Sequence, residues 1–270
     1  MRLLTLNTHS LVEPDYEAKR KFFVDFIAKE QPDVFALQEV NQTASAPAMP
    51  IPLADYCPCS GNGILLKEDN HAAAVAQMLK EEGVHYYWSW LPAKIGYDKY
   101  DEGMAIFSRM PITATENLLL SRTDDCHYWK TRRALGICAG NVWYYAVHMG
   151  WWKDEQDPFA GQWNKLNAHC EGTGRGCLVG DFNSPAHLTG EGYSLITASG
   201  WQDAYVLAET KDEGITVGGN IDGWREGKVE AMRIDFVFSR EMPAPRSSRV
   251  IFNGTFYPVI SDHFGVLTEW

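Results

Sequence analysis

The chain has 270 residues, 45% of them hydrophobic, and its 24 Lys+Arg against 35 Asp+Glu give a formal net charge of −11. That is enough apolar material for one large α/β domain spanning residues 1–270, and no stretch is long or apolar enough to cross a bilayer. A protein that tracks a nucleic acid must neutralise many phosphates with cationic side chains. The longest basic cluster here is Lys130, Arg132 and Arg133, enough for one phosphate group but thin for a polymer track, so small anionic substrates are favoured.

The opening residues turn polar at Asn7 and carry no secretory signature. Cysteines at 57, 59, 126, 138, 170 and 177 show no repeated spacing, and Cys57 and Cys59 match zinc-site spacing poorly. A reduced, cytoplasmic setting without structural zinc is the expectation.

In chain order, Leu3–Asn7 reads as a buried strand. Tyr16–Lys29 reads as a helix with Ala18, Phe22, Phe26 and Ile27 at helical spacing. After the Gln31-Pro32-Asp33 break, Val34–Leu37 forms a short strand ending in Gln38-Glu39. Both strands are expected to deliver a polar side chain at their C-terminal ends, where α/β folds assemble ligands. Residues 41–63 form a Pro/Gly/Ala/Ser-rich loop, of a length that marks a functional rim or a mobile segment. His71–Glu82 is a second helix. Strands follow at His85–Leu91, Met104–Ser108, Ala134–Ala139 and Val142–His148. A third helix, Glu155–Cys170, carries Phe159, Trp163, Leu166 and Cys170 on one face. Cys177–Val179 is a strand leading into Gly180-Asp181-Phe182-Asn183, and a short helix spans Tyr193–Ala198. Arg233–Phe238, Val250–Phe252 and Phe264–Thr268 complete the strands. Strands interleaved with few helices suggest two packed sheets with helices outside, although periodicity does not choose this over one mixed sheet.

Polar residues stand where apolar strands end: Asn7, Glu39, Asp181 with Asn183, and Asp262 with His263. A hard cation such as Mg²⁺ takes oxygen ligands. Glu39 and Asp262 suit it as charged ligands, and Asn7 as a neutral one. Phosphate-ester cleavage needs neutralised phosphoryl oxygens and an activated water. His263 suits the role of base, with Asp235 as the carboxylate that orients it. Taken singly, each of these residues also fits a turn or a helix cap.

The order Leu-Asn-Thr (6–8), Leu-Gln-Glu-Val (37–40), Glu-Gly-Met-Ala-Ile (102–106), Val-His-Met (147–149), Gly-Asp-Phe-Asn (180–183), Arg-Ile-Asp-Phe (233–236) and Ser-Asp-His-Phe (261–264) changes the odds. It resembles the endonuclease/exonuclease/phosphatase superfamily, over residues 3–268. The resemblance implies an α-β-β-α sandwich of four layers with its site at one edge of two mixed sheets. It implies Mg²⁺, or Mn²⁺, on Glu39 with Asn7 and Asp262 nearby. Asp181 and Asn183 would contact the phosphate or place water, His148 would donate to a phosphoryl oxygen, and His263 would pair with Asp235. Whether His263 or Asp181 accepts the proton stays open.

Trp151 and Trp152 follow His148 and suit either a sugar platform or core packing. Lys130 and Arg132 are candidate substrate contacts, and the segments 97–102 and 129–133 share this aromatic and charged character. The glycine-rich Thr216–Trp224 segment is either a loop over a sugar or a plain connection. Strings such as His-Met-Gly-Trp-Trp and Thr-Val-Gly-Gly-Asn-Ile-Asp-Gly-Trp are similar to a bacterial subgroup acting on phosphodisaccharides such as maltose 6'-phosphate. That likeness implies a phosphatase for a small phosphorylated carbohydrate, with neither nucleic acid nor membrane as partner. The rivals are a phosphodiesterase on the same scaffold, nuclease or sphingomyelinase-like, and a binding module that has lost its chemistry. Oligomeric state is not legible.

Overall fold

Residues 2–7 alternate between two apolar environments, which is why they read as an unbroken apolar run. In strand β1 (Arg2–Asn7), Leu4 and Leu6 pack with Phe23, Phe26 and Ile27 of helix α1 (Tyr16–Glu30), while Leu3 points the other way, toward Tyr144 and Val179. A strand covered on both faces needs no polar alternation. The computed structural model describes residues 1–50, 53–61, 63–219, 221 and 231–270.

The remaining elements are β2 (Val34–Thr43), α2 (His71–Glu81), β3 (Tyr87–Gly96), β4 (Tyr100–Ser108), β5 (Ile112–Leu119), β6 (Arg133–Ala139), β7 (Val142–His148), α3 (Phe159–Cys170), β8 (Gly176–Asp181) and α4 (Gly192–Ala198). The last third adds β9 (Gln202–Asp203), α5 (Ala204–Leu207), β10 (Thr210–Lys211), β11 (Asp235–Arg240), β12 (Ser247–Ile251) and β13 (Gly265–Glu269). One sheet has seven strands in the order β10-β12-β13-β1-β2-β4-β3, and the other six in the order β5-β6-β7-β8-β11-β9. Both are mixed: β1 pairs parallel to β2 and β7 parallel to β8, among antiparallel neighbours. Three apolar layers hold them. Helices α1 and α2 cover the first sheet, Leu91, Ile106, Leu135, Tyr144 and Val179 fill the space between the sheets, and α3 and α4 cover the second. This is the four-layer α-β-β-α sandwich.

Several local expectations change. Phe22 is 47% exposed; α1 buries Phe23, Val24, Phe26 and Ile27 instead. Helix α3 begins at Phe159, after Pro158, because a proline is better placed at a helix start than inside it. Strand β5 escapes periodicity because it is an edge strand with a half-exposed Thr/Glu/Asn face. Strand β2 continues to Thr43, so the first residues of the expected 41–63 loop are strand.

Two motif glycines answer to close backbone approach. Gly180 has φ +140°, and a Cβ there would lie 2.0 Å from the Val147 carbonyl oxygen of the parallel neighbour β7. A Cβ on Gly103 would lie 2.2 Å from the Leu91 carbonyl oxygen, where the β3–β4 register shifts.

Helix α2 starts at Asn70, whose side chain accepts from the Ala73 amide at 3.0 Å. Its first residue, His71, is buried. The Tyr16 hydroxyl donates to His71 Nδ1 at 2.9 Å and accepts from Arg20 at 3.1 Å, leaving the buried Nε2 without a partner among the described residues. Burial, followed by the Arg20 charge, lowers His71 from 6.5 to about 3. The unfolded chain therefore takes up a proton below pH 6.5 that the folded chain refuses until about pH 3, so stability falls as pH falls through that window. Acidification from pH 7 to 5 should cost about 2 kcal/mol through this residue. Denaturant titrations of wild type and His71→Gln at both pH values check it; parallel acid losses in the two proteins would rule it out.

Candidate active site

The polar ends of the strands meet at one edge of the two sheets. They line a cavity of about 200 Å³ bounded by Glu39, Lys94, Tyr97, Glu102, Trp129, Arg132, His148, Trp151, Asp181, Asn183, Asp262 and His263, among others. Glu39 does not stand at the end of its strand, as its position suggested. It sits in a β-bulge between Leu37 and Val40 with φ +52°. The bulge interrupts the alternation and turns the carboxylate toward the cavity. Asn183 holds a comparable turn at φ +47°, with its amide nitrogen donating to Asp181 Oδ1 at 2.8 Å and Nδ2 donating to the Met149 carbonyl at 2.9 Å.

Asn7 joins the two sheets. Its Nδ2 donates to Glu39 Oε1 at 2.9 Å and to Asp181 Oδ2 at 3.3 Å, and its Oδ1 accepts from the His9 amide at 3.2 Å. The expected neutral oxygen ligand is thus turned to hold Glu39 with its amino group. Ser261 donates to the Asn7 carbonyl at 2.7 Å and ties the Asp262–His263 segment to β1. His263 Nδ1 lies 3.0 Å from Asp235 Oδ2, and its Nε2 lies 3.8 Å from Asp181 Oδ2. His148 Nε2 approaches the same Asp181 oxygen at 3.6 Å. Thr216 supports the pair from behind: its hydroxyl accepts from the Ile234 and Asp235 amides at 3.1 and 3.2 Å, and its carbonyl accepts from Phe264. The sequence marked Thr216 only as the start of a glycine-rich segment. Of that segment, Asn220, Asp222, Gly223 and Trp224 lie outside the described residues.

The electrostatics follow from burying many carboxylates together. Burial, then the charges of Glu102 and Asp262, raises Glu39 to about 7. Burial also raises Asp181 to about 7, with His263 opposing and Asp235 adding. For His263 burial acts against the charge, but Asp235 outweighs it and lifts the imidazole to about 10. His148 is held well below the ordinary imidazole range by burial and by the nearby Arg132 and Lys94 cations. On the rim, burial acts against charge on His9, yet its contact with Glu13 (2.7 Å) and the nearby Glu39 and Asp262 raise it to about 9. His9 Nε2 also meets the Tyr97 hydroxyl at 2.9 Å. Two clusters bring ligand atoms within 4.8 Å of one another: Asp181, Asp235 and His263, and His9, Glu13 and Asp262. Carboxylate oxygens make up two of the three donors in each cluster, the donor type a hard divalent cation takes, and Glu39, the expected ligand, lies in neither cluster.

The expected substrate contacts divide. Trp151 lines the cavity, but Trp152 turns into the core under α3, its ring 6.2 Å from that of Phe159. The indole that joins Trp151 is Trp129, 52% exposed, at 5.7 Å between ring centroids and a tilt of 52°. The basic cluster also splits. Lys130 is drawn to Asp154 at 2.5 Å and Gln156 at 2.9 Å, away from the cavity lining, and Arg133 pairs with Asp124. Arg132 alone reaches the cavity. Lys94, which no motif flagged because a lysine within a strand carries no signal of its own, faces Glu102 at 3.1 Å.

A family model described as Endonuclease/Exonuclease/phosphatase family matches residues 4–263. The chain belongs to this family. Its members are phosphoesterases, which makes the chain a hydrolase acting on ester bonds. An endonuclease/exonuclease/phosphatase family protein from Leptotrichia buccalis C-1013-b is similar at 30% identity and TM-score 0.85, over 100% of this chain and 98% of that one. A mannosyl-6-phosphatase of Bacteroides thetaiotaomicron VPI-5482 is similar at 16% identity and TM-score 0.64, over 100% and 98%. A 3' phosphatase from Neisseria, bound to a product DNA hairpin, is similar at 18% identity and TM-score 0.66, over 100% and 99%. The last two likenesses are of fold alone. No curated protein matches the chain. The six cysteines are free, and among the described residues no helix is long and apolar enough to cross a membrane.

Proposed function

We propose that this family member is a Mg²⁺-dependent phosphomonoesterase acting on a small phosphorylated carbohydrate. The observation that carries the reading is the Trp129–Trp151 corner on the wall of the cavity that also holds Glu39, His148, Asp181 and His263. Indole faces suit the C–H faces of a sugar, and the acidic and histidine groups suit its phosphate. The mannosyl-6-phosphatase likeness agrees with this class of substrate; the DNA-bound likeness favours a nucleic-acid ester, against which the dispersed basic cluster speaks.

A Mg²⁺ ion on Glu39 and Asp262, with Mn²⁺ as substitute, would neutralise phosphoryl charge and polarise a water. Asn7 then serves that site by holding the Glu39 carboxylate. Asp235 fixes His263 through Nδ1, leaving Nε2 toward Asp181. With His263 lifted to about 10 and so carrying its proton, Asp181 accepts the water proton while the His263 imidazolium holds it in place, and Asn183 and the neutral His148 donate to phosphoryl oxygens.

A phosphate-release panel of sugar phosphates, nucleotides, phospholipids and oligonucleotides with Mg²⁺ tests the reading. A phosphorylated disaccharide should exceed a phosphorylated hexose in kcat/KM by roughly tenfold or less, the worth of one stacking contact. Trp129→Ala should shrink that gap with little change in Tm. Trp152→Ala should instead cost roughly 2 kcal/mol of stability, less than a fully buried tryptophan, and leave the gap in place. Faster hydrolysis of oligonucleotides or phosphodiesters than of any sugar phosphate would overturn the assignment.

A further inference from the structure

Arg132 is 2% exposed and makes no ion pair among the described residues. Its Nη1 has only two long contacts, to the Trp129 and Thr131 carbonyls at 3.4 Å each, and its buried Nε has no partner. A buried guanidinium that no carboxylate touches is costly for a protein to hold, and here Glu102, Asp181 and Glu39 stand near enough only to ease that cost from a distance. The other buried cation on the cavity wall, Lys94, is already matched to Glu102. The position of Arg132 is nevertheless well defined. Its backbone is clamped to Leu120 and Ser121 on both sides, and the guanidinium carbon lies 5.6 Å from the Trp151 ring centroid. A charge kept buried, fixed and out of contact with any carboxylate on the wall of a cavity is suited to bind an anion there.

We propose that Arg132 is the specificity-determining residue that reads a terminal phosphate, using a charge that no carboxylate contacts to prefer a monoester dianion to a diester monoanion. A monoester near neutral pH carries a charge of about −2 over three acceptor oxygens, while a diester has lost one of them to a second carbon. The inference rests on the phosphomonoesterase reading above and names the group that enforces it.

The test uses the full chain with Mg²⁺ and three readouts: kcat/KM on p-nitrophenyl phosphate and on bis(p-nitrophenyl) phosphate, Kd for inorganic phosphate by calorimetry, and Tm. Arg132→Met should lower monoester kcat/KM and inorganic-phosphate affinity by about 10- to 100-fold, the scale of one hydrogen-bonded charge, and lower the diester rate by a clearly smaller factor. Tm should change little, since the desolvation cost of the buried charge and its distant attraction to Glu102, Asp181 and Glu39 are lost together. Arg132→Lys should recover part of the phosphate affinity, keeping the charge but not the planar fork. Equal loss on both esters with unaltered phosphate affinity would overturn the inference, as would a large fall in Tm accompanied by equal losses. If Arg132→Met does not fold, Arg132→Gln is read in its place by the same criteria. A wild type that prefers diesters would defeat the monoesterase reading, and the phosphate Kd of the variants would still decide whether Arg132 is an anion site.

Discussion

Chelation of divalent metal is expected to abolish phosphate release, and Mg²⁺ or Mn²⁺ to restore it. The reason lies in the crowding of Glu39, Glu102, Asp181 and Asp262 on one cavity wall, where only Lys94 and Arg132 and the histidines oppose them. Without a cation, burial and mutual repulsion push Glu39 up to about 7. Glu39→Gln should raise the metal concentration needed for half-maximal activity by roughly 100-fold or more, since a buried charged partner is lost. The same substitution carries a second, opposite signature. In metal-free protein it removes a repelled charge, so the variant should melt no lower than wild type. Full turnover in metal-free enzyme, or a Glu39→Gln variant with unchanged metal dependence, would refute the metal assignment.

Loss of the His263–Asp235 pair should be nearly as damaging. His263→Ala should lower kcat by about 100-fold or more with the protein still folded, the usual scale for removing a general acid-base group. Asp235→Asn should lower it too, because a neutral amide opposite Nδ1 permits the wrong tautomer and spoils the aim of Nε2. The 3.0 Å contact predicts that the two act as a unit, so the double variant should be little worse than His263→Ala alone. Multiplication of the two single losses in the double variant would break the pair model. Thr216→Val offers a milder control: it removes the hydroxyl that holds the Ile234 and Asp235 amides, and should loosen the pair without touching the imidazole.

Much of this architecture was legible beforehand. Runs such as Leu3–Leu6 and Cys177–Val179 announced buried strands, while the choice of a two-sheet sandwich over one mixed sheet came from the family resemblance of the motifs. The motif residues were legible for a related reason: polar groups that interrupt apolar strands are costly unless something at the sheet edge uses them. Glu39 shows the limit. Its identity was evident, but its bulge was not, because the sequence does not state where a strand slips register against its neighbour. Asn7 lies beside Glu39 and Asp181 with its amide NH2 toward them, a direction that depends on which groups from β2 and β8 surround it.

The cavity walls lay further out of reach. Trp151 and Trp152 are adjacent and chemically identical, yet one faces the cavity and the other the core, and nothing in the pair itself distinguishes them. Lys130, Arg132 and Arg133 looked like one basic cluster, but Asp154 and Asp124 draw off the outer two. What the amino-acid sequence determined by itself is most of the buried strands, through their apolar runs, and the family and the chemical groups of the site, through the order of its motifs; the edge strands β5, β9 and β10 left no such pattern. Only the tertiary structure decided which of those groups share a cavity, which cation no carboxylate contacts and which indole lines the cavity wall. Contacts between residues distant in sequence depend on sheet order, register and bulges, and no local run of residues encodes them.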